Sequence, residues 1–401
     1  MHGALDDLTV LDLGQVIAMP MCTMLLADMG ARVIKVESRE RAAERMSLGI
    51  KRERNGKSER VHAGQYRERN KLAITLDLKQ PAGVALFKEL VKHADVVTEN
   101  FSVGAMERLG LGYKDVAAVN PRIVYASITA FGQEGPYAKQ RGYDMLAQAI
   151  SGFMSITGFP EGPPTRSGQS ISDYYAGMLC AFSIVSALRH RDRTGHGQHI
   201  DIALLDSMLV ALDNLGERYT IGGELLTRAG NVSFGGSSSG VYPVTDGHVA
   251  IAAGNSDQVW RRFCKVIGRP ELTTDPDFAT VPARRDRRDS VVAIIQAWTH
   301  TRSKSQVVAA LAEVGVPAAP VNNVADMLAD PQVKAREMFV EYDHPTYGPL
   351  TVTGTPLKLS ETPGRIETLA PLPGEHNEDI FVGLLGHSKQ ELARWQADGV
   401  V

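Results

Sequence analysis

Apolar and polar positions follow two different periods along the first two hundred residues. Short apolar runs at 9–13, 32–36, 72–76, 95–98 and 123–127 read as buried strands, and the stretches between several of them repeat with helical spacing. After the first run, Met21, Met24, Leu25 and Met29 mark one helical face. Pro20 sits near the helix start, where a missing N–H costs nothing, and Gly30 ends the run. A second helix is predicted over 82–93. Strands alternating with helices predict a parallel α/β sheet, whose ligands bind beyond the carboxyl ends of the strands.

A longer helix opens at Ser172 or Asp173, with Met178, Leu179, Phe182, Val185 and Leu188 as its apolar stripe. Arg189, His190 and Arg191 suit the negative end of its dipole. A turn at 193–197 leads to a strand at 199–202 and a helix from Asp206. Beyond about residue 220 the texture changes. A Gly- and Ser-rich segment at 230–240 feeds a hairpin, 241–244 and 248–252 around Thr245-Asp246-Gly247, and helices follow at 258–267, 289–300 and 305–314. This reads as a smaller α+β domain over 221–328. From Pro331 the chain turns β-rich again and ends in a helix over 389–397.

The bulk numbers exclude more than they assign. With 401 residues, 43% hydrophobic and 22% charged, and a net charge of −3, the chain suits two ordinary cores and gives no reason to expect nucleic acid or a membrane as a partner. No run reaches the roughly 18 uninterrupted apolar residues of a membrane span. Asp6 and Asp7 in a start without an apolar stretch argue against a secretory leader. Cys22, Cys180 and Cys264 are odd in number and far apart, which fits a reducing, cytoplasmic setting and neither a disulfide framework nor a zinc site. Charge is uneven, however: between Arg39 and Lys71 eleven Lys or Arg face five Glu. The stretch reads either as a solvated loop or as a loop that attracts the phosphates of a polyanionic ligand.

Three motifs fail on context. The opening βαβ has Gly14-Gln-Val-Ile-Ala-Met-Pro20 where a dinucleotide fold needs G-x-G-x-x-G, so Glu37 is no ribose ligand by itself. Gly236-Ser-Ser-Ser-Gly240 matches G-x-S-x-G, yet a hairpin follows it and not the helix of a nucleophile elbow. His196, His199 and Asp201 lack the further His or Cys of a metal site, and no metal is expected. Asp173 is different. Ser-Asp before an apolar helix is an ordinary N-cap, but a carboxylate there also feels the positive end of the dipole, which would keep it ionised and able to attack a carbonyl.

Taken in order, several segments resemble the class III coenzyme A transferase (CaiB/BaiF) family, which includes formyl-CoA transferase and α-methylacyl-CoA racemase. They are Val10-Leu-Asp-Leu with Pro20, Gly30-Ala-Arg-Val-Ile-Lys-Val-Glu37, Arg69-Asn-Lys71 with Leu76-Asp-Leu-Lys79, and Asp95-Val-Val-Thr-Glu-Asn-Phe101 with Arg108-Leu-Gly110. Gly132-Gln-Glu-Gly-Pro136, Gly142-Tyr-Asp144, Ser172-Asp173 with Ala176-Gly177, Gly195-His-Gly-Gln198, Leu205-Asp-Ser207 and Pro373-Gly-Glu-His376 complete the set. The resemblance implies a large Rossmann-like α/β domain built from both chain ends (1–220 and 329–401), a smaller domain between them, and a homodimer of two interlinked ring-like subunits. It places the catalytic aspartate at Asp173. Contacts to coenzyme A fall on Ala18, Leu76, Lys79, Asn100, Phe101, Ser102, Arg108, Arg141 and Tyr143. The adenine-side arginine matches Ser38, with Arg39 one position away. A shielding glycine loop falls at Gly235 and Gly236.

By that resemblance the chain is an enzyme that moves coenzyme A from an acyl-CoA to a free carboxylic acid through aspartyl anhydride and aspartyl-CoA thioester intermediates, with no permanently bound cofactor. Succinyl-CoA and a second dicarboxylate are the expected substrates, with Arg166 or Arg228 as candidate partners of a distal carboxylate. A 2-methylacyl-CoA racemase would need a second acid–base group where Tyr143 stands, and a phenol with a reference pKa near 10 is a poor base. A non-catalytic CoA-binding protein would have no use for Asp173.

Overall fold

The computed structural model describes residues 3–47, 49–54, 57–61, 64, 66–232, 239–344 and 346–401. Its contacts divide the chain into two compact units. One comprises Met1–Ser151, Gly168–Asp213 and Pro331–Val401; the other comprises Gly152–Ser167 and Asn214–Asp330.

The first unit opens with strand β1 (Thr9–Asp12), helix α1 (Ala18–Asp28) and strand β2 (Arg32–Glu37). Helix α2 (Arg39–Ser47) and an antiparallel hairpin of β3 (Ile50–Arg54) and β4 (Lys57–Val61) come next. Then follow β5 (Lys71–Thr75), α3 (Pro81–Val91), β6 (Val96–Glu99), α4 (Ala105–Arg108), α5 (Tyr113–Val119), β7 (Val124–Thr129) and α6 (Asp144–Ile150). After the short α7 (Phe153–Ile156) of the second unit come α8 (Ile171–Thr194), β8 (His199–Ala203) and α9 (Leu204–Ala211). Six strands pair in the order β5-β2-β1-β6-β7-β8, all parallel. This is an α/β fold. In chain order the sheet reads 3-2-1-4-5-6, and the direction of winding reverses between β1 and β6, where a crevice opens beyond the strand ends.

The basic stretch from Arg39 is not a free loop. It forms α2 and the hairpin, and many of its charges are spent inside the fold: Arg45 pairs with Glu37 at 2.6 Å, Arg69 with Asp28 across two hydrogen bonds, and Arg52 donates to the carbonyl of Pro349. Local charge counting could not see these partners, because most of them come from other parts of the chain.

One face of the sheet packs against α3, α5 and the returning C-terminal segment, with Phe87, Ile380, Phe381 and Trp395 in one cluster. The edge strand β5 is closed by that return. Ala73 exchanges hydrogen bonds with His376, and Asn377 bonds Thr75 at both the backbone N–H and the hydroxyl. Unpaired edge groups, which invite aggregation, are thereby satisfied. Helices α1 and α8 pack closely on each other. Gly177 permits this approach, since a Cβ there would lie 2.6 Å from the Ala18 carbonyl oxygen. By length and composition α8 could cross a membrane, yet it also contacts β7, β8 and α9, and its buried Arg191 pairs with Asp95 at 2.7 Å. It is a core helix of this unit.

The second unit holds α10 (Leu215–Gly222), the hairpin β9 (Ser239–Val244) and β10 (Gly247–Ala252), then α11 (Asp257–Val266), α12 (Val281–Asp286), α13 (Arg288–Thr299) and α14 (Lys304–Glu313). Strand β11 (Ala318–Pro320) completes a three-stranded antiparallel sheet, and α15 (Val324–Ala329) follows. Trp260, Phe263 and Trp298 centre its core. The return to the first unit adds α16 (Pro331–Ala335), a hairpin of β12 (Phe339–His344) and β13 (Gly348–Thr353), and α17 (Lys389–Ala397).

Beneath the crevice lies a buried ionic cluster. Lys71 Nζ donates to Asp12 at 3.0 Å, Glu68 at 2.9 Å and Thr23 at 2.9 Å, while Lys35 pairs with Glu68 at 3.4 Å and bonds the Gly14 carbonyl. Two anions balance two cations, and Asp12 also accepts the Gly14 N–H. Burial alone would raise the Glu68 carboxyl, but the ammonium groups of Lys35 and Lys71 outweigh it and hold it at about 2. Lys71→Met leaves two buried carboxylates with one cation and is expected to cost about 3–5 kcal/mol, read as a lower urea midpoint; an unchanged midpoint would contradict this role. A depressed carboxyl contributes stability above its unfolded value near 4.5 and loses it as pH falls toward 2. The midpoint should therefore drop across that window, and drop less in Glu68→Gln.

Candidate active site

The carboxyl ends of four strands surround a cavity of about 540 Å³. Its wall includes Leu13–Val16 after β1, Val36–Ser38 at the end of β2, Leu76–Lys79 after β5 and Phe101 after β6, with Arg41, Arg45 and Arg67. Asn100 holds the β1 side of the crevice by pairing its amide with both backbone groups of Gln15, each at 2.8 Å. Val16 then adopts φ +63, a strained conformation for a β-branched residue and one that clusters at functional sites. The chain turns there into α1, whose first residue is Ala18.

Asp173 lies in the first turn of α8, but it does not cap the helix. Ser170 holds the cap position without a side-chain bond. The cap comes from another element: Asp144, the first residue of α6, accepts the Ser172 backbone N–H at 2.9 Å and its hydroxyl at 2.8 Å. Asp144 is buried and also takes the amide of Gln148 at 2.7 Å. Asp173 is thus left without a hydrogen bond among the described residues, half-buried beside a second carboxylate. Burial, followed by the charge of Asp144, pushes its carboxyl up to about 7, and only Arg67 pulls in the other direction. The expectation of a carboxylate held fully ionised by the helix end is therefore corrected. A helix terminus supplies at most about 1 kcal/mol at a typical surface site, less than a tenfold change in ionisation, and burial beside Asp144 exceeds it.

Of the residues expected at the coenzyme, Leu76, Lys79 and Phe101 line the cavity, Asn100 holds its rim, and Ala18 sits against α8 next to Gly177. Arg39 is placed elsewhere: its guanidinium donates to the carbonyls of Gln396 and Val401, and Arg41 takes the position on the cavity wall. Ser102, Arg108, Arg141 and Tyr143 do not line it. Arg108 and Arg141 are exposed, as is Tyr143, at the N-cap of α6. Gly235 and Gly236 lie outside the described residues. Arg166 and Arg228 belong to the second unit, where Arg228 bonds the carbonyls of Phe159 and Pro160. His199 bonds Ser127 at 3.0 Å and stacks on Tyr113, and no metal-binding cluster occurs among the described residues. Asp144 and Arg67, the two charges that act on Asp173, were not singled out from the sequence. Gly142-Tyr-Asp144 had appeared only as a tag of resemblance, and Arg67 was one of many cations in a basic run.

A sequence profile of CoA-transferase family III matches residues 5–377. The succinyl-CoA–D-citramalate CoA-transferase of Chloroflexus aurantiacus is 37% identical over 397 residues, 99% of this chain and 98% of its own. The succinate–glutarate CoA-transferase of Agrobacterium fabrum is 39% identical over 382 residues, 95% of each chain. A solved CaiB/BaiF family protein from Brucella suis superposes with a TM-score of 0.84 at 36% identity, covering 96% of this chain and all of its own. The profile match along most of the sequence and relatives at this identity and coverage decide the family: the chain belongs to CoA-transferase family III and is a CoA-transferase.

Proposed function

We propose that this enzyme moves coenzyme A between dicarboxylic acids, with succinyl-CoA as donor and Asp173 as the covalent carrier. The observation that carries the reading is the Asp173 carboxylate, without a hydrogen bond among the described residues in the first turn of α8, where Asp144 takes the bonds of Ser172. Dicarboxylate substrates are supported by the relatives named for succinyl-CoA with D-citramalate and for succinate with glutarate.

The chemistry runs as four acyl exchanges. An Asp173 oxygen attacks the donor thioester carbonyl; the C–S bond breaks and coenzyme A leaves as thiolate, giving a mixed anhydride. The thiolate attacks the Asp173 carbonyl carbon, the anhydride C–O bond breaks, and the donor acid departs as its carboxylate. The acceptor carboxylate then attacks the aspartyl-CoA thioester and expels the thiolate. Attack of that thiolate on the acceptor's acyl carbon restores Asp173 and forms the new thioester. Covalent catalysis replaces one exchange by several easier ones. A carboxyl raised to about 7 keeps a large ionised fraction at neutrality and is more basic, hence more nucleophilic, than an ordinary carboxylate. Coenzyme A is a substrate on this reading, and no resident cofactor takes part.

The enzyme works as a homodimer of interlinked subunits. Met178, Phe182 and Val185 support this: they stand exposed along one stripe of α8, with Leu209 and Val210 exposed on α9, more apolar surface than a lone subunit normally leaves to water.

Asp173→Ala should reduce transfer to below about a thousandth of wild type while coenzyme A binding by calorimetry persists; substantial turnover would overturn the nucleophile assignment. Only the ionised form attacks, so the rate of the first half-reaction should rise with pH through about 7. Asp144→Asn keeps an acceptor for Ser172 but removes the charge, and should shift that limb to lower pH. Light scattering should give twice the 43.4 kDa of one chain and hold on dilution, because interlinked rings part only on unfolding; a single-chain mass would contradict the dimer.

A further inference from the structure

The cavity wall carries five cations, and three of them are paired within the fold. Arg45 pairs with Glu37, Arg41 with Glu44 and the amide of Gln15, and Lys35 belongs to the buried cluster with Asp12 and Glu68. Lys79 is exposed at the rim. Arg67 is the exception. Its Nε is shut off from solvent without a hydrogen-bond partner, and its guanidinium makes no ion pair among the described residues. It lines the cavity, and its charge acts on the carboxyl of Asp173. The turn that carries it is well held: its N–H and that of Glu68 bond the Gly64 carbonyl, and the neighbouring Tyr66 hydroxyl reaches the Met21 sulfur of α1.

A buried donor with no acceptor costs free energy comparable to a lost hydrogen bond, and a guanidinium is shaped to receive a carboxylate. Three of the five cations on the cavity wall are paired and Lys79 is solvated at the rim, so Arg67 is the inner cation whose charge a negative group of the substrate would meet. Arg67 lines the cavity and is near enough to Asp173 for its charge to be felt there. We infer that Arg67 receives the free, non-reacting carboxylate of the dicarboxylic substrate and so selects dicarboxylic over monocarboxylic acids. This rests on the proposed function above and extends it to the residue that reads the substrate. Arg166 and Arg228, expected in that role from their neighbourhoods in sequence, belong to the second unit, and the carbonyls of Phe159 and Pro160 already occupy Arg228.

The test compares succinyl-CoA with butyryl-CoA, which has the same chain length and no distal carboxylate, in wild type, Arg67→Gln and Arg67→Lys. Rates are read on the alkaline plateau, where Asp173 is ionised in every variant and the lost charge cannot mimic a binding effect. Wild type should favour succinyl-CoA. Arg67→Gln should lower kcat/KM for succinyl-CoA by tens to about a hundredfold, the range of a charge-assisted bond, and leave butyryl-CoA within about threefold. Arg67→Lys should restore part of the preference. Retained turnover of butyryl-CoA also shows that the variant folds. Preference surviving in Arg67→Gln, or equal loss with both donors, would overturn the assignment of Arg67 alone. A wild type that does not distinguish the two donors would instead overturn the dicarboxylate reading.

Discussion

The bonds from the backbone and hydroxyl of Ser172 to Asp144 decide the surroundings of the Asp173 carboxylate. A helix must satisfy its first N–H groups, and the residue in its first turn best placed to help would ordinarily be drawn into that task. Here α6 sends its own carboxylate across to do it. Asp173 is left unbonded beside a fixed negative charge, and burial plus that charge raise its basicity. The same contact therefore orders the helix and, on the proposed mechanism, prepares the nucleophile, and the tuning depends on two acidic residues distant in sequence.

The rest of the first unit serves to hold that contact still. Helix α8 is pinned at its far end by Arg191 on Asp95, which also accepts the N–H of Thr9 at the start of β1. Along its length α8 touches α1 closely enough to require glycine at 177. The cluster of Asp12, Lys35, Glu68 and Lys71 ties the ends of β1 and β2 to the start of β5, directly under the loop that shapes the cavity. Buried ion pairs add little net stability compared with apolar packing. Their gain here is geometric, since Gly14 receives bonds on both its N–H and its carbonyl.

Much of this was legible from residue patterns. The apolar runs marked five of the six parallel strands and the turn at 193–197 the sixth, and Met21, Met24 and Leu25 fall in a helix buried along its length. A cavity opens at the strand ends, and the final helix has the expected bounds. Asp173 was singled out through its place in a string of short tags, and it does fall in the first turn of α8. What escaped was everything that depends on partners brought together by folding. The basic stretch at Arg39–Lys71 could not reveal that Arg69, Arg45 and Lys71 meet Asp28, Glu37 and Asp12, so helix α2 and its hairpin were hidden behind an apparent excess of charge. The raised carboxyl at Asp173 was illegible for the same reason, because burial and Asp144 set it. Arg39 shows the reverse case: a near match by position, yet its guanidinium is committed to the C-terminal carbonyls.

The central claim is that a bond forms between the Asp173 carboxyl and the transferred group. Incubating the full-length enzyme with succinyl-CoA, quenching with hydroxylamine and mapping the digest by mass spectrometry reads that bond directly. The account predicts a hydroxamate on Asp173 that appears only when acyl-CoA is present. An unmodified Asp173 peptide during active turnover, or a hydroxamate on another residue, would contradict it.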